Sequence, residues 1–266
     1  MTKVTLVSCR IFEDELTALL KKEDDVGKNS GKPIKIILHR TDFIETFTAK
    51  LDSEGVSYEL VDSGVSLPAG DDVIVLRLIE FSMEARPNEN KAVVYATVKE
   101  AQPESDGILV LYGLCGNVLG NIEEDLSLPD CPVRILKDCD GDIVDDCICA
   151  SLGSRQRYTQ ILKDAPRGEG TFFLTPMQAA YWREIAYASA LTPDPNDDDM
   201  IRFVFEYSNY KRVGKINTGF QYEQKYDDIV SDFSSRFNMK IIEYDGQSIV
   251  YTCYEKFMKE LNNLSS

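Results

Sequence analysis

Apolar residues along this chain fall into short branched runs, separated by longer stretches in which they recur at every third or fourth position. The runs Val4–Val7, Ile34–Leu38, Tyr58–Val61, Val73–Leu78, 108–112, Val133–Leu136, Thr171–Leu174 and Lys240–Glu243 are bounded by turn residues and predict strands. Leu16, Leu19 and Leu20 predict a helix over 13–22, followed by a polar loop over 24–33. Phe43, Phe47 and Leu51 predict a second helix, opened by Thr41 or Asp42 and ended by Gly55. Further helices are predicted at 142–152, 155–162, 176–190 (opened by Pro176), 201–207, 227–237 and 251–261. Segment 91–102 suits a strand through Val93–Val98 or a helix. Strands alternating with helices predict an α/β protein, with a mainly parallel sheet flanked by helices. The 266 residues suffice for a single α/β unit. They also allow two Rossmann-like lobes sharing a cleft, 1–155 carrying a thiol site and 156–266 completing the cleft.

That architecture gives certain residues a common address. In a parallel sheet the carboxyl ends of the strands lie along one edge, where open α/β sheets bind ligands. Cys9 follows the first strand, His39 the second, and Cys115 stands in Leu111-Tyr-Gly-Leu-Cys-Gly-Asn117 after the 108–112 run. Cys147, in Asp145-Asp-Cys-Ile-Cys149, is expected at a helix start, where the dipole favours thiolate. Thiolate and imidazole suit zinc and other borderline-soft metals, and a catalytic site leaves one position open. Cys9, Cys115, Cys147 and His39 are therefore the expected metal ligands, with Cys139 or Cys149 as replacements for Cys147. Cys131, Cys139 and Cys253 are otherwise read as buried small hydrophobes. His39, the only histidine, serves equally as a strand-end hydrogen-bonding residue or as a catalytic base paired with a cysteine. Glu15, on the first helix near the same edge, is placed to orient a ligand or move a proton. Gly113, Gly116 and Asn117 would admit a ligand close to the backbone, and Tyr210 and Lys211 would add polar groups from the C-terminal part. The stretches Tyr207–Arg212 and Ile216–Gly219 are as readily a turn between helix and strand as an anion site.

Composition narrows the functions. A formal charge of −16 repels phosphate backbones and anionic lipid, so neither nucleic acid nor membrane is an expected partner. No segment approaches the ~20 apolar residues of a membrane span, and the first ten residues lack a signal-peptide core, which together predict a cytoplasmic protein. Seven cysteines in that compartment are expected to be reduced thiols. GxSxG, GxGxxG and the P-loop pattern are absent. Asp138-Cys-Asp-Gly-Asp142 fails as a calcium loop, because its glycine falls too early and Cys149 occupies the closing position.

Cys9 with Glu15-Leu16, Leu38-His39, Tyr112-Gly-Leu-Cys-Gly-Asn117, Asp146-Cys-Ile148, Leu152-Gly-Ser154, Phe173-Leu-Thr175, Asn209-Tyr-Lys211 and Thr218-Gly219 together carry a resemblance. The chain resembles a family of bacterial and archaeal proteins called domain of unknown function 1638. That family's pattern has a Pro-Arg step and often a His before the Asp-Cys pair. Here the stretch reads Val133-Arg134, then an acidic segment ending at Asp145. The resemblance implies an association with corrinoid-dependent methyltransferase systems, hence with methyl-group metabolism. The combined expectation is a three-cysteine metalloprotein, zinc-loaded, acting on a small-molecule substrate or with a corrinoid protein. An iron–sulfur protein using the same thiolates, or a non-catalytic subunit binding a methyltransferase or corrinoid protein, are the alternatives.

Overall fold

The computed structural model describes residues 2–62, 72–81, 86–220 and 222–264. In chain order the first part runs β1 (Lys3–Cys9), α1 (Glu13–Ser30), β2 (Lys35–His39), α2 (Ile44–Ser53), β3 (Glu59–Val61) and β4 (Val73–Ile79). It continues with α3 (Pro87–Ala101), β5 (Gly107–Leu111), α4 (Ile122–Leu126) and β6 (Val133–Ile135). Two helices, α5 (Cys147–Leu152) and α6 (Arg155–Lys163), lead to β7 (Gly170–Leu174), α7 (Pro176–Ala180), α8 (Trp182–Ala188) and α9 (Asp198–Tyr207). The chain then forms β8 (Tyr210–Asn217), α10 (Tyr226–Arg236), β9 (Lys240–Asp245) and α11 (Val250–Leu264).

The strands form two sheets, ordered β3-β2-β4-β1-β5-β6 and β7-β8-β9, and every pairing between these strands is parallel. The predicted α/β class with a helix-flanked parallel sheet is what forms. Strand alternation sorts the first sheet's side chains. Leu6, Leu38, Leu76 and Leu109 pack with α1, α2 and α11 on one face, and Val7, Ile79, Ile108 and Val110 pack with α3 and α4 on the other. β1 and β4 are neighbours, yet the helices that follow them cover opposite faces. Their carboxyl ends therefore splay around a crevice, the switch point where ligands bind in such sheets. The second sheet packs Leu174 and Val213 against α8, α9 and α10, around Trp182, Phe205 and Phe233. Its other face packs Phe173 and Ile216 against α5 and α6. α11 leaves this sheet and returns to α1 and β5.

Several elements differ from the pattern reading, and segment 91–102, open between strand and helix in that reading, is settled. α1 continues through the predicted 24–33 loop, held by Lys21–Asp25 and Lys28–Asp24 ion pairs, and ends at Gly31 in the left-handed conformation. Segment 91–102 is helical, with Asn90, Val94, Val98 and Ala101 buried at helical spacing. The helix predicted from 142 starts only at Cys147, because the backbone before it is committed elsewhere. Val144 O accepts from Leu114 N at 2.8 Å and Asp145 O from Cys115 N at 3.1 Å. The helix predicted over 176–190 breaks at Tyr181 into α7 and α8. β8, the central strand of the second sheet, has no counterpart among the predicted strands: Lys211, Arg212 and Lys215 interrupt its apolar pattern. Lys215 is matched by Asp227 at 2.8 Å and Glu243 at 3.5 Å.

Candidate functional site

Cys9, Cys115 and Cys147 line one cavity of about 470 Å³ at the carboxyl end of the first sheet. The volume lies within the ~300–1,000 Å³ range of small-molecule sites. Each thiol arrives by a different local device. Cys9 is the last residue of β1 and is followed by a tight turn over Arg10–Phe12. Arg10 fixes that turn: its guanidinium binds Glu13 at 2.8 Å, Thr46 at 3.1 Å and Glu80 at 3.3 Å. It also lies against the rings of Tyr181, Phe43 and Phe81, at 4.5, 5.0 and 5.1 Å.

Cys115 sits in the left-handed region at φ 44°, followed by Gly116 at 81° and Asn117 at 64°. For a residue with a Cβ this conformation costs about 1–2 kcal/mol and persists only where the surroundings impose it. What imposes it is the backbone pairing of Leu114 and Cys115 with Val144 and Asp145. That pairing requires Gly113: a Cβ there would stand 2.7 Å from Val144 O and 2.8 Å from Asp146 N. The same contact carries Cys147 to the cavity, two residues beyond Asp145.

Cys147 opens α5, which Asp146 caps by accepting from Cys149 N at 2.8 Å. Burial raises the Asp146 carboxyl above the usual carboxylate range, although that N–H opposes the shift. Gln178 of α7 donates from Nε2 to Cys147 Sγ at 3.4 Å. Its other amide atom, Oε1, accepts from Thr175 N at 2.9 Å, completing a capping box with Thr175. Apolar walls come from Phe12, Phe81, Ile148 and Ile185, and the buried Asn90 adds a carboxamide from α3. The cavity is thus closed partly by the first sheet and partly by α7 and α8 of the second. Among the described residues, no group of three or more His, Cys, Asp or Glu side chains is already assembled to hold a metal ion. A bound ion would have to draw the three thiols together.

The other expected residues lie elsewhere. His39 is buried at the end of β2, beyond β4, and does not line the cavity. Burial, and then the Arg77 charge, hold its pKa below the ordinary value. Glu15 is buried among Asp14 and Lys50, away from the cavity lining; burial and then Asp14 push its carboxyl up to about 8. Gly113 and Gly116 line the cavity, whereas Asn117 is exposed beside it. Tyr210 and Lys211 begin β8 at the opposite, amino-terminal edge of the second sheet, where Tyr210 packs on Phe172 and Phe205. A cavity of about 510 Å³ at the carboxyl end of β8 includes Asn217, Thr218 and Gly219, but also Glu223 and Asp227, whose charges repel an anion.

Among the remaining cysteines, Cys149 is buried in the main core and pushed up to about 12, chiefly by burial, so Cys147 is the thiol of that segment that faces the cavity. Cys131 and Cys253 are buried as expected, but Cys139 is exposed in the loop after β6. No disulfide joins any of the seven. Gln178 and Arg10 escaped the sequence reading. Thr175-Pro-Met-Gln178 has the capping-box spacing that would have located Gln178 at a helix start, though not its thiol partner. For Arg10 the local i,i+3 partner Glu13 is readable, but its other partners come from three separate segments.

An all-parallel, two-sheet α/β protein with a thiol-lined crevice at a switch point is the class that these elements define. Residues 78–250 match the family model described as "Protein of unknown function (DUF1638)", and the chain belongs to that family. The match includes Cys115, Cys147 and Gln178, and begins after Cys9, Glu15 and His39. No curated protein and no solved structure matches the chain. Among the described residues, no helix is long and apolar enough to cross a membrane.

Proposed function

We propose that this is a cytoplasmic soft-metal protein with Cys9, Cys115 and Cys147 as its ligands, serving methyl transfer or related one-carbon chemistry on a small substrate or a corrinoid protein. One observation carries the reading: three thiols from distant segments of the chain share a cavity at the switch point of a parallel sheet. The donor chemistry fits zinc, which takes thiolate ligands and tolerates an open fourth position. A bound zinc ion would supply Lewis acidity, lowering the pKa of a substrate thiol or similar soft nucleophile. The protein's own residues would do the rest. Arg10 and the Gly113 contact hold Cys9, Cys115 and Cys147 at the cavity. Phe12, Phe81, Ile148 and Ile185 exclude water from the reacting atoms, and Gln178 supplies an N–H to the accumulated thiolate charge. His39 and Glu15 have no part in this reading, being outside the cavity.

A second reading, a subunit that docks on a partner protein, is favoured by one different observation. Met200, Phe203 and Tyr207 form an exposed stripe on α9, with Phe203 and Tyr207 stacked. Metal analysis separates the readings. Protein purified without oxygen is expected to hold about one zinc per chain, absent from Cys115→Ser. Iron with acid-labile sulfide would instead support a cluster on the same thiolates. No metal in the wild-type protein, even after reconstitution, would sink both metal readings and leave a metal-free thiol enzyme or the docking reading.

A further inference from the structure

We propose that Gln178 is a positioning residue of the thiol site: its amide N–H orients the Cys147 sulfur and offsets its charge. This rests on the soft-metal reading above. The carboxamide has a determined orientation. Thr175 N–H needs an oxygen, and Gln178 Oε1 takes that bond at 2.9 Å, so the Nε2 end faces Cys147 Sγ at 3.4 Å. The far end of the residue is fixed as well, since Gln178 N donates to Thr175 Oγ1 at 3.3 Å. Pro176 at the first position of α7 presets the turn between them. The N–H is therefore held in place before any ion arrives.

An amide N–H aimed at a sulfur ligand lowers the electron density on that sulfur and sets its direction, the role outer hydrogen bonds play around metal centres. Three thiolates about a divalent ion leave a net negative charge. Asp145 and Asp146 also lie beside the cavity and add negative charge there, which an N–H on the thiolate side offsets. Arg155 answers Asp145 at 3.1 Å and is engaged there. Gln178 donates its amide N–H to the Cys147 sulfur.

The test uses a pair of variants. In Gln178→Glu a carboxylate oxygen still caps α7 by accepting from Thr175 N–H, but the N–H toward Cys147 is gone. In Thr175→Val the cap is weakened while the Gln178 amide remains. The full chain is titrated with zinc against a chromophoric chelator, and with cobalt(II) to read the sulfur-to-metal charge-transfer band. Gln178→Glu is expected to bind zinc about tenfold more weakly and to shift the band, with Thr175→Val within about twofold of wild type. Unchanged or tighter zinc binding by Gln178→Glu overturns the proposal and leaves the metal reading standing. Equal weakening by both variants assigns Gln178 a purely structural role and also overturns it. A wild-type protein that takes up neither zinc nor cobalt overturns this proposal together with the reading beneath it.

Discussion

Two polar sites lie along the carboxyl edge of the first sheet, and they are built on opposite plans. Around Lys50, Nζ reaches Asp14 and Glu223 at 2.7 Å each and Glu13 at 3.4 Å, with Met177 Sδ at 2.9 Å. Glu13, Asp14 and Lys50 are nearly closed to solvent, and one oxygen each of Glu13 and Asp14 is buried without a hydrogen-bond partner. Around the three thiols the groups are soft, spaced about a cavity, and lined by apolar walls. Both sites join the second sheet to the first, Lys50 through Glu223 and Met177, Cys147 through Gln178. The difference shows how a seam divides its labour. Fixed charges that pair directly hold the two sheets at the Lys50 seam, while polarisable groups around a space leave room for a ligand. Burial raises Glu13 and Asp14 even though Lys50 opposes it, so desolvation dominates in the closed site.

Removing the shared cation should break that contrast most severely. Lys50→Met leaves Glu13 and Asp14 buried without their countercharge, and a loss of roughly 3–5 kcal/mol is expected in urea unfolding. A loss below about 1 kcal/mol would show that the cluster is solvated and does not organise the seam.

The next effect depends on pH. Glu15 has a carboxyl raised from 4.5 to about 8, so the folded state binds its proton more tightly than the unfolded chain does. Its contribution to stability is complete below about pH 4.5 and is lost as pH rises toward 8, at roughly 1.4 kcal/mol per unit. Glu15→Gln should match wild type near pH 4.5 and exceed it by roughly 2–4 kcal/mol near pH 9. Parallel pH–stability curves for the two proteins would place Glu15 in contact with water.

The smallest change in stability, about 1–3 kcal/mol, is expected for Gly113→Ala, whose methyl group must push the 144–146 backbone away. Its effect on the open site should be disproportionate. Separating Cys115 from Cys147 is expected to reduce bound zinc while the Lys50 cluster is untouched. Full zinc occupancy in that variant would mean that the paired loops do not set the thiols' spacing.

The first sheet was largely legible because its central strands are buried on both faces and read as apolar runs, Val73–Ile79 interrupted only by Arg77 and Gly107–Leu111 unbroken. β8 was not legible, although it is central to its sheet. Its Lys215 is matched by Asp227 and Glu243, which lie beyond the strand in the chain. The helix start at Cys147 was misplaced for a similar reason: the carbonyls of Val144 and Asp145 bond to the Cys115 loop, a commitment invisible to local periodicity.

From the sequence alone came the α/β class, the parallel sheet, and the rule that thiols after β1 and β5 share an edge, because strand alternation and turn chemistry are local properties of the chain. Which of those residues meet was a tertiary decision. β4 inserts between β2 and β1 and sets His39 apart. The Gly113 contact brings Cys147 to Cys115, while Glu15 falls among buried charges rather than beside the thiols. Strand order and helix docking are fixed by packing between distant segments, and no window of the sequence contains both partners.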